Sequence, residues 1–248
     1  MLGKNLLLSQ FVHNPEINQI SVLGKPLGDV HVDTLALSAA CMLGILAYSA
    51  WLAPRLVLDG PGGVNQAISE SLYGFLDDLA HGQIGALYKK FFPLVAAIFI
   101  FVLIGNFIGI GPWRALEHLP GWFKLPNGES FEIASPTTDF NVTAGLAAIS
   151  VLVYLGAGVA KHGGKYIKTI LFNPVEWLDL LVRPSTLALR LMLVITADEI
   201  TRLVFLLMLP WLAPTFVMAF EIFIALIQAF VFALLTSIYI GLAVSEHH

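Results

Sequence analysis

Five runs in this 248-residue chain extend for about 18 to 24 residues without one Asp, Glu, Lys or Arg, and no soluble core accommodates so many. The charge-free runs are Thr34–Pro54, Phe91–Trp113, Phe140–Ala160, and Leu203–Phe220 followed, across Glu221, by Ile222–Ser245. About 20 helical residues cross the ~30 Å of hydrocarbon in a bilayer. Composition agrees: 57% of residues are hydrophobic, 12% are charged and the mean hydropathy is +0.81, which describes a polytopic membrane protein. The runs are too long, and alternate too little, for strands of a membrane barrel. The expected fold is therefore all-α.

Apolar periodicity places about five membrane helices, at 34–54, 91–113, 140–160, 177–209 and 216–245, with 1–33 as an outer N-terminal segment. With the N-terminus outside, the cytoplasmic loops hold Arg55, Lys89, Lys90, Lys161, Lys165, Lys168 and Arg183, against Lys4, Lys25, Arg114 and Lys124 outside, and the excess of inner positive charge favours that orientation. After the turn at Gly60–Gly63, Ile68, Leu72, Phe75, Leu76 and Leu79 recur at helical spacing beside Glu70, Asp77 and Asp78. This predicts an amphipathic surface helix touching a neighbouring subunit or lipid headgroups. The last two helices, about 33 and 30 residues, measure roughly 45–50 Å and must tilt or bend to fit the bilayer. No internal repeat or linker divides residues 1–248, which read as a single membrane domain.

Several chemistries are excluded. Cys41 is the sole cysteine, so neither an intrachain disulfide nor a thiolate metal cluster is available. His162, His247 and His248 lack metal-ligand spacing, Gly60-Pro-Gly-Gly lacks the lysine of a phosphate loop, and no nucleophile has a triad around it. A formal charge of −4 leaves no nucleic-acid footprint. Neither a cofactor nor a metal is expected, and no clear signal peptide precedes the first crossing.

The informative residues are the polar ones inside the spans. Arg190 is the only charged residue between Arg183 and Asp198, and a guanidinium at that depth costs at least about 2.5–3.5 kcal/mol unless it faces protein or water. Glu199 follows nine residues later, two and a half turns on and hence on the opposite face of the helix. In the last helix Glu221 and Gln228 are seven residues, nearly two turns, apart and share a face. The order is a hydrated acidic path ending at a fixed positive charge. The plainer readings are an ion pair of Arg190 with Asp198 or Glu199, a local Asp198–Arg202 pair, an anchoring role for Glu221 and an interhelical hydrogen bond from Gln228.

Taken together, Asn106, Pro136-Thr-Thr-Asp-Phe-Asn-Val-Thr143, Asn173-Pro174 with Glu176, Arg183-Pro-Ser-Thr-Leu-Ala-Leu-Arg-Leu191, Ala197-Asp-Glu199 and Ile227-Gln-Ala-Phe-Val-Phe232 resemble the subunit a family of the F-type ATP synthases. The resemblance implies a non-catalytic, ion-translocating stator that carries protons and faces a ring of c subunits through two offset half-channels. It implies Arg190 as the essential charge barrier, Glu199 and Glu221 as polar groups of the outer half-channel, and Gln228 beside the arginine. Asn106, Asp139 and Asn141 would line the outer access route, and Glu176 and Thr186 the inner half-channel. Implied partners are the c-ring, the subunit b peripheral stalk, other ATP synthase subunits and membrane lipid, with no nucleotide bound by this chain. The expected location is a bacterial cell inner membrane, the alternatives being mitochondrial inner or thylakoid membranes. Leu191-Met-Leu-Val194 departs from the family's usual Leu-Phe-Gly-Asn. The rival functional reading is an ion-coupled secondary transporter of a small solute, which calls for repeated halves or interrupted helices around a midplane site.

Overall fold

A chain without water satisfies its backbone polar groups within itself, and apolar runs of this length do so as helices. The computed structural model describes residues 21–22, 25–26, 32–57, 62–110, 135–163, 166, 174–208 and 213–245, at some helical positions by the backbone alone. Six helices follow one another there: α1 (Val32–Leu52), α2 (Val64–Ile84), α3 (Tyr88–Ile110), α4 (Phe140–His162), α5 (Pro174–Met208) and α6 (Ala213–Val244). The remaining ordered backbone is three short 3-10 turns and a two-residue antiparallel ladder in which Ser21 faces Pro26 and Val22 faces Lys25. The fold is all-α, as its periodicity predicts. Stretches long and apolar enough to cross a membrane are Ala36–Arg55, Val64–Ile110, Phe140–His162 and Val217–Val244. The α5 helix has the length, at 35 residues, but carries Asp179, Arg183, Arg190, Asp198, Glu199 and Arg202.

Local chemistry sets the helix ends. Asp139 is the N-cap of α4, where its Oδ1 accepts from the Asn141 backbone N–H at 2.7 Å, occupying one of the donors a helix start leaves unpaired. At the other end Gly163 takes a φ of 62°, open to glycine without steric cost, and its N–H returns to the Val159 carbonyl. Gln66 ties the connection between α1 and α2: its Oε1 accepts from Val57 N–H at 3.0 Å, while its Nε2 donates to the Val57 carbonyl at 2.8 Å and to Glu70 at 2.7 Å.

The α6 helix is the hub, packed on α2, α3, α4 and α5. Lipid competes equally well for apolar side chains, so helices in a bilayer associate through close packing of small residues and interhelical polar contacts. The buried face of α6 follows that rule with Ala225, Ala229, Ala233 and Ala243. At Gly241 a Cβ would collide with the backbone oxygen of Gln83, so glycine lets α2 and α6 meet backbone to backbone. Phe75 meets Phe230 at 5.8 Å further back, so these two helices run in the same direction. On the other flank Ser150 touches Thr236 at 3.3 Å and Lys161 Nζ donates to the Val244 carbonyl at 2.6 Å, making α4 and α6 parallel too. Leu43, Leu46, Leu152 and Phe220 are exposed on the outside, where an apolar surface suits lipid.

The amphipathic segment is a helix, as expected, but Leu72, Leu76 and Leu79 of its apolar stripe pack into the bundle of this chain. Gln66, Leu76, Ala80 and Ile84 are buried against α3 and α6, while Ile68 and Phe75 stay exposed.

Candidate functional site

On α5, Leu187, Ala188 and Leu191 are buried, which fixes that face against the bundle. The opposite face presents Thr186, Leu189, Leu193, Ala197, Ile200 and Val204 to the outside, and Arg190 stands among them, exposed. Between Thr186 and Val204 it is the one charged side chain on this face among the described residues, and no acid among them pairs with it. Asp198 is therefore not its partner. Glu199 and Glu176 lie within α5, but their side chains, like that of Arg202, fall outside the described residues. Thr186 Oγ1 donates back to the carbonyls of Val182 or Arg183, both at 2.9 Å, which leaves the hydroxyl an exposed acceptor one turn before Arg190.

Glu221 and Gln228 project from the buried face of α6, 3% and 5% exposed, as their seven-residue spacing predicts. The Gln228 Nε2 is buried without a hydrogen-bond partner among the described residues. An amide donor with no acceptor is costly in a dry interior and calls for water.

A second polar site lies at the C-terminal end of α3. The short turn Pro136–Thr138 packs against α3, α4 and α5. Thr137 Oγ1 donates to Asn106 Oδ1 at 2.5 Å and lies 2.6 Å from Ser135 Oγ, which also reaches the Gly105 carbonyl at 3.0 Å. Gly105 and Gly109 make room: a Cβ on Gly109 would sit 2.6 Å from the Ser135 Cβ. The Asn106 Nδ2 is buried and, like the Nε2 of Gln228, has no partner among the described residues. Asp139 and Asn141, next in the chain, are partly and fully exposed, and the carboxylate of Asp139 is engaged in the cap described above.

Sequence reasoning missed the contacts of Arg183. It was counted only as an inner-loop charge, yet its guanidinium lies 5.2 Å from the ring centre of Tyr154 in α4 and 5.2 Å from that of Tyr239 in α6. The available signal was a half-turn of apolar helix on either side of a cation, with a tyrosine at the inner end of each neighbouring span.

The structure thus sets an exposed cation on a stretch of α5 that shows no other charge from Thr186 to Val204 among the described residues, and buried polar groups on α6 and α3, without a cluster of metal-ligating residues among the described residues. Comparison with known proteins agrees with the motif reading. The family model described as ATP synthase A chain matches residues 34–241. The chain is 36% identical over 257 residues to the chloroplastic ATP synthase subunit a of Stigeoclonium helveticum, spanning 98% of this chain and 100% of that protein. It is 34% identical over 223 residues to ATP synthase subunit a of Gloeobacter violaceus, spanning 88% of this chain and 86% of the relative. An exposed arginine in an apolar helix, buried amides on its neighbours and a match along most of the length converge: the chain belongs to the ATP synthase A chain family.

Proposed function

We propose that this chain is the proton-translocating stator of the membrane sector of an F-type ATP synthase, with Arg190 as the charge barrier between two offset half-channels. The observation that carries the reading is the exposure of Arg190 on a face of α5 that shows no other charge from Thr186 to Val204, unpaired among the described residues. A cation in that position, without a partner among the described residues, suits a face covered by another subunit. The ring of c subunits is the proposed occupant, with subunit b of the peripheral stalk elsewhere on the surface. The chain itself forms and breaks no covalent bond and binds no nucleotide.

The mechanism follows from solvation. A carboxylate carried by the ring cannot enter lipid charged, because hydrocarbon offers nothing to solvate it. It must be protonated before it rotates outward and can ionise only where water or a cation stabilises the charge. Arg190 supplies that cation and repels a proton moving straight from one passage to the other. Arginine suits the task because a guanidinium holds its proton even when desolvated, where a lysine ammonium gives it up. Glu221, Gln228 and Glu199 form the outer passage, with Asn106, Asp139 and Asn141 towards its mouth, and Glu176 and Thr186 the inner one. The orphaned amides of Gln228 and Asn106 support hydration along the outer route. The gradient's voltage part supplies about 2.3 kcal/mol per charge for each 100 mV. The lengths of α5 and α6, 35 and 32 residues, support an inclined course along a curved ring. The proposed membrane is a bacterial cell inner membrane, and the chloroplastic relative makes a thylakoid membrane the alternative.

The test is ATP synthesis by reconstituted complexes. Arg190→Ala should abolish it and Arg190→Lys should fail nearly as badly; full synthesis by Arg190→Ala complexes would refute the role.

A further inference from the structure

We propose that Arg183, held between the rings of Tyr154 and Tyr239, is a positioning residue that fixes the rotation of α5 and so the direction in which Arg190 points. The inference rests on the barrier role of Arg190 for its functional consequence but on separate geometry for its cause.

The guanidinium lies 5.2 Å from each ring centre, inside the ~6 Å range where a cation is drawn to an aromatic face. One ring belongs to α4 and the other to α6, so a single side chain joins three helices. Arginine is well shaped for this, being planar, permanently charged and more weakly hydrated than an ammonium. Pro184 follows immediately inside α5 and has no N–H to give the carbonyl one turn back, a local weakness at which the helix can swing. The clamp sits on the turn where that freedom begins.

Arg190 is seven residues further on, about 10 Å along the axis and only ~20° from the same azimuth. That stripe is covered at Arg183, which is half-buried between the rings, and open at Arg190, which is exposed. Hence α4 and α6 part from this side of α5 between the two arginines. Turning α5 enough to swing Arg190 off its outward direction would pull Arg183 from between the tyrosines. The buried Leu187 and Leu191 on the neighbouring face resist the same rotation.

Ring faces, not hydroxyls, make the clamp, and the test separates them in the assembled complex. In Tyr154→Phe/Tyr239→Phe both faces remain; in Tyr154→Leu/Tyr239→Leu both are lost. Arg183→Met, which keeps the partner rings, is the second route to the same loss should the Leu pair fail to assemble. Spin labels at Ile200 and Ile222, both exposed and outward of Arg190, report the α5–α6 distance, and ATP-driven proton pumping reports coupling. The Phe pair should keep a narrow distance distribution and near-normal pumping. The Leu pair or Arg183→Met should broaden and shift the distances and lower pumping by about tenfold, in line with losing cation–π contacts in a desolvated site. Unchanged distances after loss of the rings or of Arg183, or equal damage from the Phe pair, overturn the proposal. Shifted distances with undiminished pumping uphold the clamp and count instead against Arg190 as the barrier.

Discussion

Replacing Gln228 by leucine separates a wet site from a dry one. The side chain is 5% exposed on the inward face of α6, and its Nε2 lacks a hydrogen-bond partner among the described residues. Leucine has similar bulk and no polar atom. In a dry pocket, removing an unsatisfied amide should return about 1–3 kcal/mol to the folded state. Since 1.4 kcal/mol is tenfold, that is roughly a 5- to 150-fold rise in the folding constant. In a hydrated passage the amide is already satisfied by water, so the gain should be near zero, while proton entry past an apolar side chain should slow several-fold. The assays are unfolding of the chain in mixed micelles and passive proton conductance of vesicles holding the membrane sector without its catalytic head. Wild-type stability with reduced conductance is expected. A leucine variant that is more stable by the full increment and conducts normally would mean that no water reaches this position.

Three further substitutions probe the framework. Thr137→Val removes the donor to Asn106 Oδ1 in a buried site and should destabilise the chain by about 1–3 kcal/mol, seen as a lower unfolding midpoint in mixed micelles. Gly241→Leu drives a side chain into the Gln83 backbone, and an overpacking cost of about 1–3 kcal/mol or more should lower the membrane level of the protein, read by quantitative blotting against Gly44→Leu, whose site is open. Lys161→Met deprives the end of α6 of a cation on its last carbonyls; exposure of the lysine limits the loss to about 0.3–1 kcal/mol, measurable as faster hydrogen exchange over residues 240–245.

The helices were legible because hydrocarbon leaves the backbone one solution, and apolar length reports it directly. The shared face of Glu221 and Gln228 was legible for a similar reason: seven residues are nearly two turns, whatever surrounds them. The packing face of α2 was not. Its apolar stripe reads as a surface for lipid headgroups or a neighbouring subunit, yet Leu72, Leu76 and Leu79 of that stripe turn into the bundle together with Gln66 and Ala80, while Ile68 and Phe75 stay outside. Lipid and a neighbouring helix are equally apolar, so hydropathy cannot tell one from the other, whereas alanine permits closer approach. The clamp on Arg183 was hidden because Tyr154 and Tyr239 come from distant parts of the chain, and only the assembled bundle brings them to one cation. Asp139 was read through its motif as a channel residue; its place just before Phe140 also makes it the helix cap, a role its residue type and position already permit.

The most direct measurement is a high-resolution map of the intact complex centred on Arg190. The account predicts its guanidinium facing the ring, within about 4–6 Å of a passing carboxylate, where opposite charge stabilises the ionised form. A guanidinium folded back onto an acid of its own chain, with lipid instead of a ring against that face of α5, would contradict it.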